Sequence, residues 1–138
     1  MSGEKNIAEL IKNMKPIHQQ GDFVFCTVKD LSKIDRNETI CEFKETEGTT
    51  IIIEKSKADT LQLDYHYVAT WITLSIHSSL EAVGLTAVFS SVLAKHNISC
   101  NVIAGYYHDH IFVDKKDAIR AIEVLNAASK EYHKTPKF

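Results

Sequence analysis

Disulfide pairing, membrane insertion and nucleic-acid binding are each disfavoured by something scarce in this chain. Its three cysteines, Cys26, Cys41 and Cys100, include no C-x-x-C pair and sit in strand-like surroundings. Neither a disulfide framework nor a thiolate zinc site is indicated, and they read as small buried hydrophobes. Five glycines and two prolines among 138 residues leave no sign of long disorder. No apolar run approaches membrane-spanning length, and the polar opening "MSGEKNIAELIKNM" has no signal-peptide core, so the expected setting is the cytoplasm with no membrane partner. Charge of one sign is scarce too: 16 Lys and Arg against 18 Asp and Glu give a net charge of −2. That balance offers no broad positive field to a phosphate backbone, so nucleic acid is not an expected partner. The basic tail "KEYHKTPKF" reads as solvated.

What the chain does have is periodicity. Ile7, Leu10, Ile11 and Met14 recur at helical steps until Pro16 stops them. "DFVFCTVKD" reads as a strand, "ICEFKE" and "TTIIIE" as a hairpin closed at Gly48, and "SKADTLQL" as a short helix. Tyr67 to His77 alternates cleanly, with Val68, Thr70, Ile72, Leu74 and Ile76 on the expected core face and Tyr67, Ala69, Trp71, Thr73, Ser75 and His77 opposite. From Leu85 the period changes, and Leu85, Val88, Phe89, Val92 and Leu93 form one helical stripe that Asn97 ends. A second hairpin follows through "ISCNVIA", Gly105 and "YYHDHIFV". Asp114 and Asp117 then mark a helix start, with Ala118, Ala121, Ile122 and Leu125 as the expected buried face.

The two halves repeat faintly. "VFCTVKD" aligns with "WITLSIHS", "ICEFK" with "ISCNV", and "IIIEKSKA" with "IFVDKKDA", but only the second half has room for a full helix after its first strand. The order fits a ferredoxin-like split βαβ arrangement in an α+β protein, an antiparallel sheet with helices on one face. Two tandem units are expected, a trimmed one over residues 1–65 with the N-terminal helix and a complete one over residues 66–138.

The second half resembles the ACT domain, the small regulatory βαββαβ module, through "SLEAVGLTAVFSSVLAKHNISCNVIAG" followed by "HIFV", over Thr70 to about Ala127. More narrowly, "ITLSIHSSLEAVGLTA" and "NVIAGYYHDHIFV" resemble small bacterial proteins built from two ACT-like units with a degenerate first one. The resemblance implies an amino-acid ligand held by main-chain groups at the turn between first strand and first helix, usually at an interface between two ACT units. Gly84 matches the family's turn glycine. Ser78, Ser79, Ala82, Val83, Gly84 and Leu85 would line the turn, with Ile98 and Asn101 facing it. The usual acidic-x-Pro-Gly turn is replaced by "HSSLEAVG", and Asn97 stands where a glycine is common.

Read from the residues alone, the junction has two explanations. Ser78-Ser79-Leu80-Glu81 satisfies a capping-box pattern that needs no ligand and is worth about 1 kcal/mol. Alternatively, helix-terminal N–H groups and a glycine permitting close approach suit a carboxylate. A competing expectation is a metal-binding protein or metal-dependent enzyme using His77, His108 and His110, which converge if the strands pair as expected. No nucleophilic set accompanies Cys100 or His77, so no catalytic residue and no cofactor is expected. Trp71, Tyr106, Tyr107 and Phe112 read as core or interface, and an uncovered sheet face or edge points to a homodimer.

Overall fold

The division between two compact units falls inside one strand, between Thr70 and Trp71. The computed structural model describes residues 7–75 and 84–134. The larger unit joins residues 1–19 to residues 71–138, and the smaller unit is residues 20–70.

The smaller unit begins with β2 (Phe23–Val28), follows with the hairpin of β3 (Thr39–Lys44) and β4 (Thr49–Glu54), and ends in the six-residue α2 (Lys55–Thr60). β4 lies between β3 and β2, antiparallel to both, and the opening residues Val68 and Ala69 of β5 (Val68–Ser75) pair with Val24 and Phe23. Gly48 closes the hairpin as expected, its carbonyl accepting from the Glu45 N–H at 2.9 Å. A side chain there would meet Thr27 Oγ1 at 2.8 Å, which is why the turn takes glycine. Where a full helix is possible, this unit has only a 3-10 turn, Leu31–Lys33. Val24, Cys26, Val28, Ile34, Ile51, Ile53 and Ala58 form its buried core.

The larger unit opens with α1 (Ile7–Asn13) and the short β1 (Lys15–His18). After β5 come α3 (Leu85–Lys95), β6 (Asn101–Ala104), β7 (Asp109–Asp114) and α4 (Ala118–Lys134). Its strands run in the order β1, β5, β7, β6. β1 pairs antiparallel with β5, Lys15 opposite Ser75 and His18 opposite Ile72, and so completes the sheet from the start of the chain. Pro16, which cannot donate to a ladder, is tolerated because β1 is the outermost strand of this unit.

Period-two alternation sends Ile72 and Leu74 of β5 and Ile111 and Val113 of β7 to one face, where they pack against all three helices. α1 contributes Leu10, Ile11 and Met14, α3 contributes Leu85, Phe89 and Leu93, and α4 contributes Ala121, Val124 and Leu125. The stripe expected from Leu85 onward is therefore the buried face of α3. Asn97 ends that helix with φ +59°, and the Ile98 N–H returns to the Leu93 carbonyl at 3.0 Å.

Three details depart from the sequence expectation. β1 carries too short an alternation to be read. β6 starts at Asn101, because Ile98 is drawn into the core as the chain leaves α3. Asp114 caps a 3-10 turn, Lys115–Asp117, by accepting from the Lys116 N–H, and α4 proper begins at Ala118.

Candidate functional site

The strand-to-helix junction keeps one residue of the expected turn in view. Gly84 is exposed, sits at φ +91° and ψ −8°, and is the N-cap of α3. The left-handed conformation explains the glycine, since an L side chain there is strained. Among the described residues an added Cβ would meet nothing within 4 Å, so the conformation sets the requirement. The Gly84 carbonyl accepts from the Val88 N–H at 3.0 Å, the first intrahelical bond. The N–H groups of Leu85, Thr86 and Ala87 consequently have no partner within the helix, and Gly84 has no side chain to offer them.

The other expected site residues divide by position. Ser78, Ser79, Ala82 and Val83 lie outside the described residues. Leu85 and Ile98 are brought together, but as side chains of one core cluster, so each can face a ligand only through its main chain. Asn101 is exposed on β6 and donates its side-chain amide to the Phe112 carbonyl at 3.4 Å.

The face of the larger sheet away from the helices carries a polar network. His110 Nδ1 accepts from Trp71 Nε1 at 3.1 Å and lies 3.0 Å from Thr73 Oγ1, which itself accepts from Gln19 Nε2 at 3.0 Å. An Nδ1 that accepts from an indole leaves the neutral ring's proton on Nε2. Burial first, and His108 second, push the His110 pKa below its ordinary value. Gly105 lies against this ring: a Cβ there would come within 3.1 Å of His110 Nε2 and 2.8 Å of the His108 carbonyl.

Among the described residues no group of three His, Cys, Asp or Glu side chains could hold a metal ion. His77 lies outside them, and the Nδ1 of His110 is turned to Trp71 and Thr73. Burial raises the thiol pKa of both Cys26 and Cys100, which keeps them protonated and poor nucleophiles at neutral pH.

Two polar groups that sequence reasoning passed over organise the helical layer. Arg120 donates to the His96 carbonyl at the end of α3 at 2.8 Å and to Asp117 at 3.0 Å. Ser129, buried, donates its hydroxyl to the Ile11 carbonyl at 2.8 Å and reaches the Lys12 carbonyl at 3.0 Å, closing the end of α1. The only available signal was a basic residue three positions after Asp117. Nothing local marks Ser129, whose partners are more than a hundred residues away.

Comparison with known proteins finds two tandem matches, the first of which takes in residues 2–19 of the larger unit. A family model described as an ACT domain matches residues 2–70, and a second model of that description matches residues 67–127. Among solved structures, a Vibrio cholerae protein of unknown function, described as a possible transport protein, is 47% identical. The alignment covers 91% of this chain and 97% of that one, with a TM-score of 0.81. An Agrobacterium tumefaciens protein is 13% identical over 84% of this chain and 89% of its own, TM-score 0.67. An aspartate kinase of Clostridium acetobutylicum, described as an allosteric enzyme, is 12% identical over 84% of this chain and 34% of its own, TM-score 0.60. The last two share the fold alone. No curated protein matches the sequence.

Proposed function

Because the chain belongs to the ACT domain family, whose members are regulatory modules that bind small molecules, we propose that it is a non-catalytic sensor of an amino acid. The ligand's carboxylate is held at the junction ahead of α3 by main-chain groups around Gly84, with Ser78, Ser79, Ala82, Val83 and Leu85 forming the turn and Ile98 and Asn101 opposite. The observation that carries this reading is the exposed, left-handed Gly84 at the head of an eleven-residue helix. Backbone donors without intrahelical partners and the positive end of the helix dipole suit an anion there. In keeping with the family's habit of self-association, the sensor works as a homodimer.

Isothermal titration of the folded chain against the twenty amino acids tests the reading. Saturable binding of one or a few, weakened at least tenfold in Gly84→Val, is expected. Absence of binding by all twenty removes it.

A further inference from the structure

An amino acid held by its carboxylate at Gly84 still presents an ammonium group, and the positive end of a helix does not suit a cation. Asp109, the first residue of β7, is 8% exposed. Among the described residues nothing donates a hydrogen bond to its carboxyl, and the one charge acting on it is that of the neighbouring His108. A buried carboxyl without donors is costly to ionise unless a cation comes beside it. We propose that Asp109 accepts the ammonium group of the amino acid bound at Gly84, and so sets a preference for amino acids over other carboxylates.

The strand geometry brings the carboxyl to the right end of the sheet. Side chains alternate between faces, so Asp109 shares the helix-covered face with Ile111 and Val113, while His110 takes the other. Trp71 stacks on Phe112, and Thr73, two residues further along β5, meets His110, so β5 and β7 run in opposite directions. By the same step Asp109 lies level with Leu74 and Ser75, where β5 ends. In a ferredoxin-like unit the first helix starts at the end where the first strand finishes. Leu85, which opens α3, accordingly packs in one cluster with Ile111, and Asp109 stands two positions, about 7 Å, beyond Ile111 toward that end.

Burial raises the Asp109 pKa. An ammonium beside the carboxyl favours its ionised form, so binding displaces the proton that burial favours. A 2-hydroxy acid offers the same carboxylate to Gly84 but only a neutral hydroxyl to Asp109.

This inference rests on the amino-acid reading, and its test keeps the two apart. Isothermal titration of the full chain compares each amino acid that binds with the 2-hydroxy acid of the same side chain, such as alanine with lactate or phenylalanine with phenyllactate. The expected result is a preference for the amino acid of at least about tenfold, shrinking to within about threefold in Asp109→Asn, which keeps the size of the side chain. In the parent chain, amino-acid affinity should also rise with pH through the range in which the unliganded carboxyl titrates, while 2-hydroxy-acid affinity does not. That second readout decides the matter even if Asp109→Asn folds poorly. Absence of binding by all twenty amino acids removes the reading and the role of Asp109 with it. Equal affinity for amino acid and 2-hydroxy acid, or a preference and pH response untouched by Asp109→Asn, overturns the role of Asp109 alone.

Discussion

The two units fill the same slot in opposite ways. Between its first two strands the smaller unit places a three-residue 3-10 turn followed by the buried Ile34, whereas the larger unit places α3, which sinks Leu85, Phe89 and Leu93 into the core. The consequence reaches the candidate site. In the smaller unit Asp30 accepts from the Ser32 N–H at 2.9 Å and so pairs the turn with its own side chain. In the larger unit the capping position is a glycine with no side chain to do the same. Trimming the helix thus removes both a wall of the core and a helix N-terminus, which is why the ligand reading attaches to one unit alone.

The largest expected effect follows from that wall. Phe89 is 1% exposed, and Phe89→Ala should destabilise the chain by about 3–5 kcal/mol in urea unfolding. Ile34→Ala, its counterpart at 7% exposure beside a short turn that can settle inward, should cost about 2 kcal/mol, the low end for such truncations. Equal losses at the two positions would mean that the turn replaces the helix energetically, and the contrast would disappear.

Next comes the anchoring of the N-terminal segment. Ser129→Ala removes the hydroxyl that donates to the carbonyls of Ile11 and Lys12, a loss of about 1–3 kcal/mol. Hydrogen exchange should speed in α1 and β1 with little change across residues 23–54. Unchanged exchange in β1 would show that its pairing with β5 stands without the α1 anchor.

These expectations mark where sequence reading worked. Local signals sufficed for α3, whose stripe and Asn97 stop are both intrinsic to the segment, and for the β3–β4 hairpin, where Gly48 closes the turn. They failed where a partner is remote. β1 is four residues long and contains Pro16, so no alternation or propensity announces it, and only its pairing with β5 makes it a strand. The network of Gln19, Thr73, Trp71 and His110 was half legible: alternation put Trp71 and Thr73 on one face, but Gln19 reaches them through β1. At the candidate site the glycine was legible because a helical stripe begins immediately after it, while Leu85 and Ile98 carry apolar side chains whose placement in the core says nothing of what their main chains can bind.

A smaller effect is expected at Gly84 itself. Gly84→Ala meets nothing among the described residues but must adopt φ +91°, costing roughly 1–2 kcal/mol. A calorimetric loss well below 1 kcal/mol would show that the junction relaxes freely and does not hold its amides in place.

Acid titration should separate the two units, because the groups that govern each respond in different windows. In the larger unit His110 has its pKa lowered, chiefly by burial and then by His108. The folded state favours the neutral ring, so this contribution is present above the unfolded value of about 6.5 and is lost as pH falls through the lower folded value. Asp109 works in the opposite sense: burial raises its pKa, so folding favours the neutral carboxyl and stability is recovered as pH falls. In the smaller unit the carboxylates of Asp30, Glu42 and Asp59 have lowered pKa values, led respectively by hydrogen bonds from the Ser32 N–H, Arg36 and Tyr65. Their contributions persist until pH falls below the ordinary carboxylate range near 4. Lowering pH from 7.5 to 5.5 in an Asp109→Asn background should therefore reduce exchange protection, relative to the intrinsic rate at each pH, in residues 71–75 and 109–114 before residues 23–28 and 49–54. His110→Asn, which keeps an acceptor opposite Trp71 but cannot titrate, should abolish that early loss. Simultaneous loss of protection in both segments, unchanged by His110→Asn, would show that protons act on the chain as one cooperative body and not through the network that ties β1, β5 and β7 together.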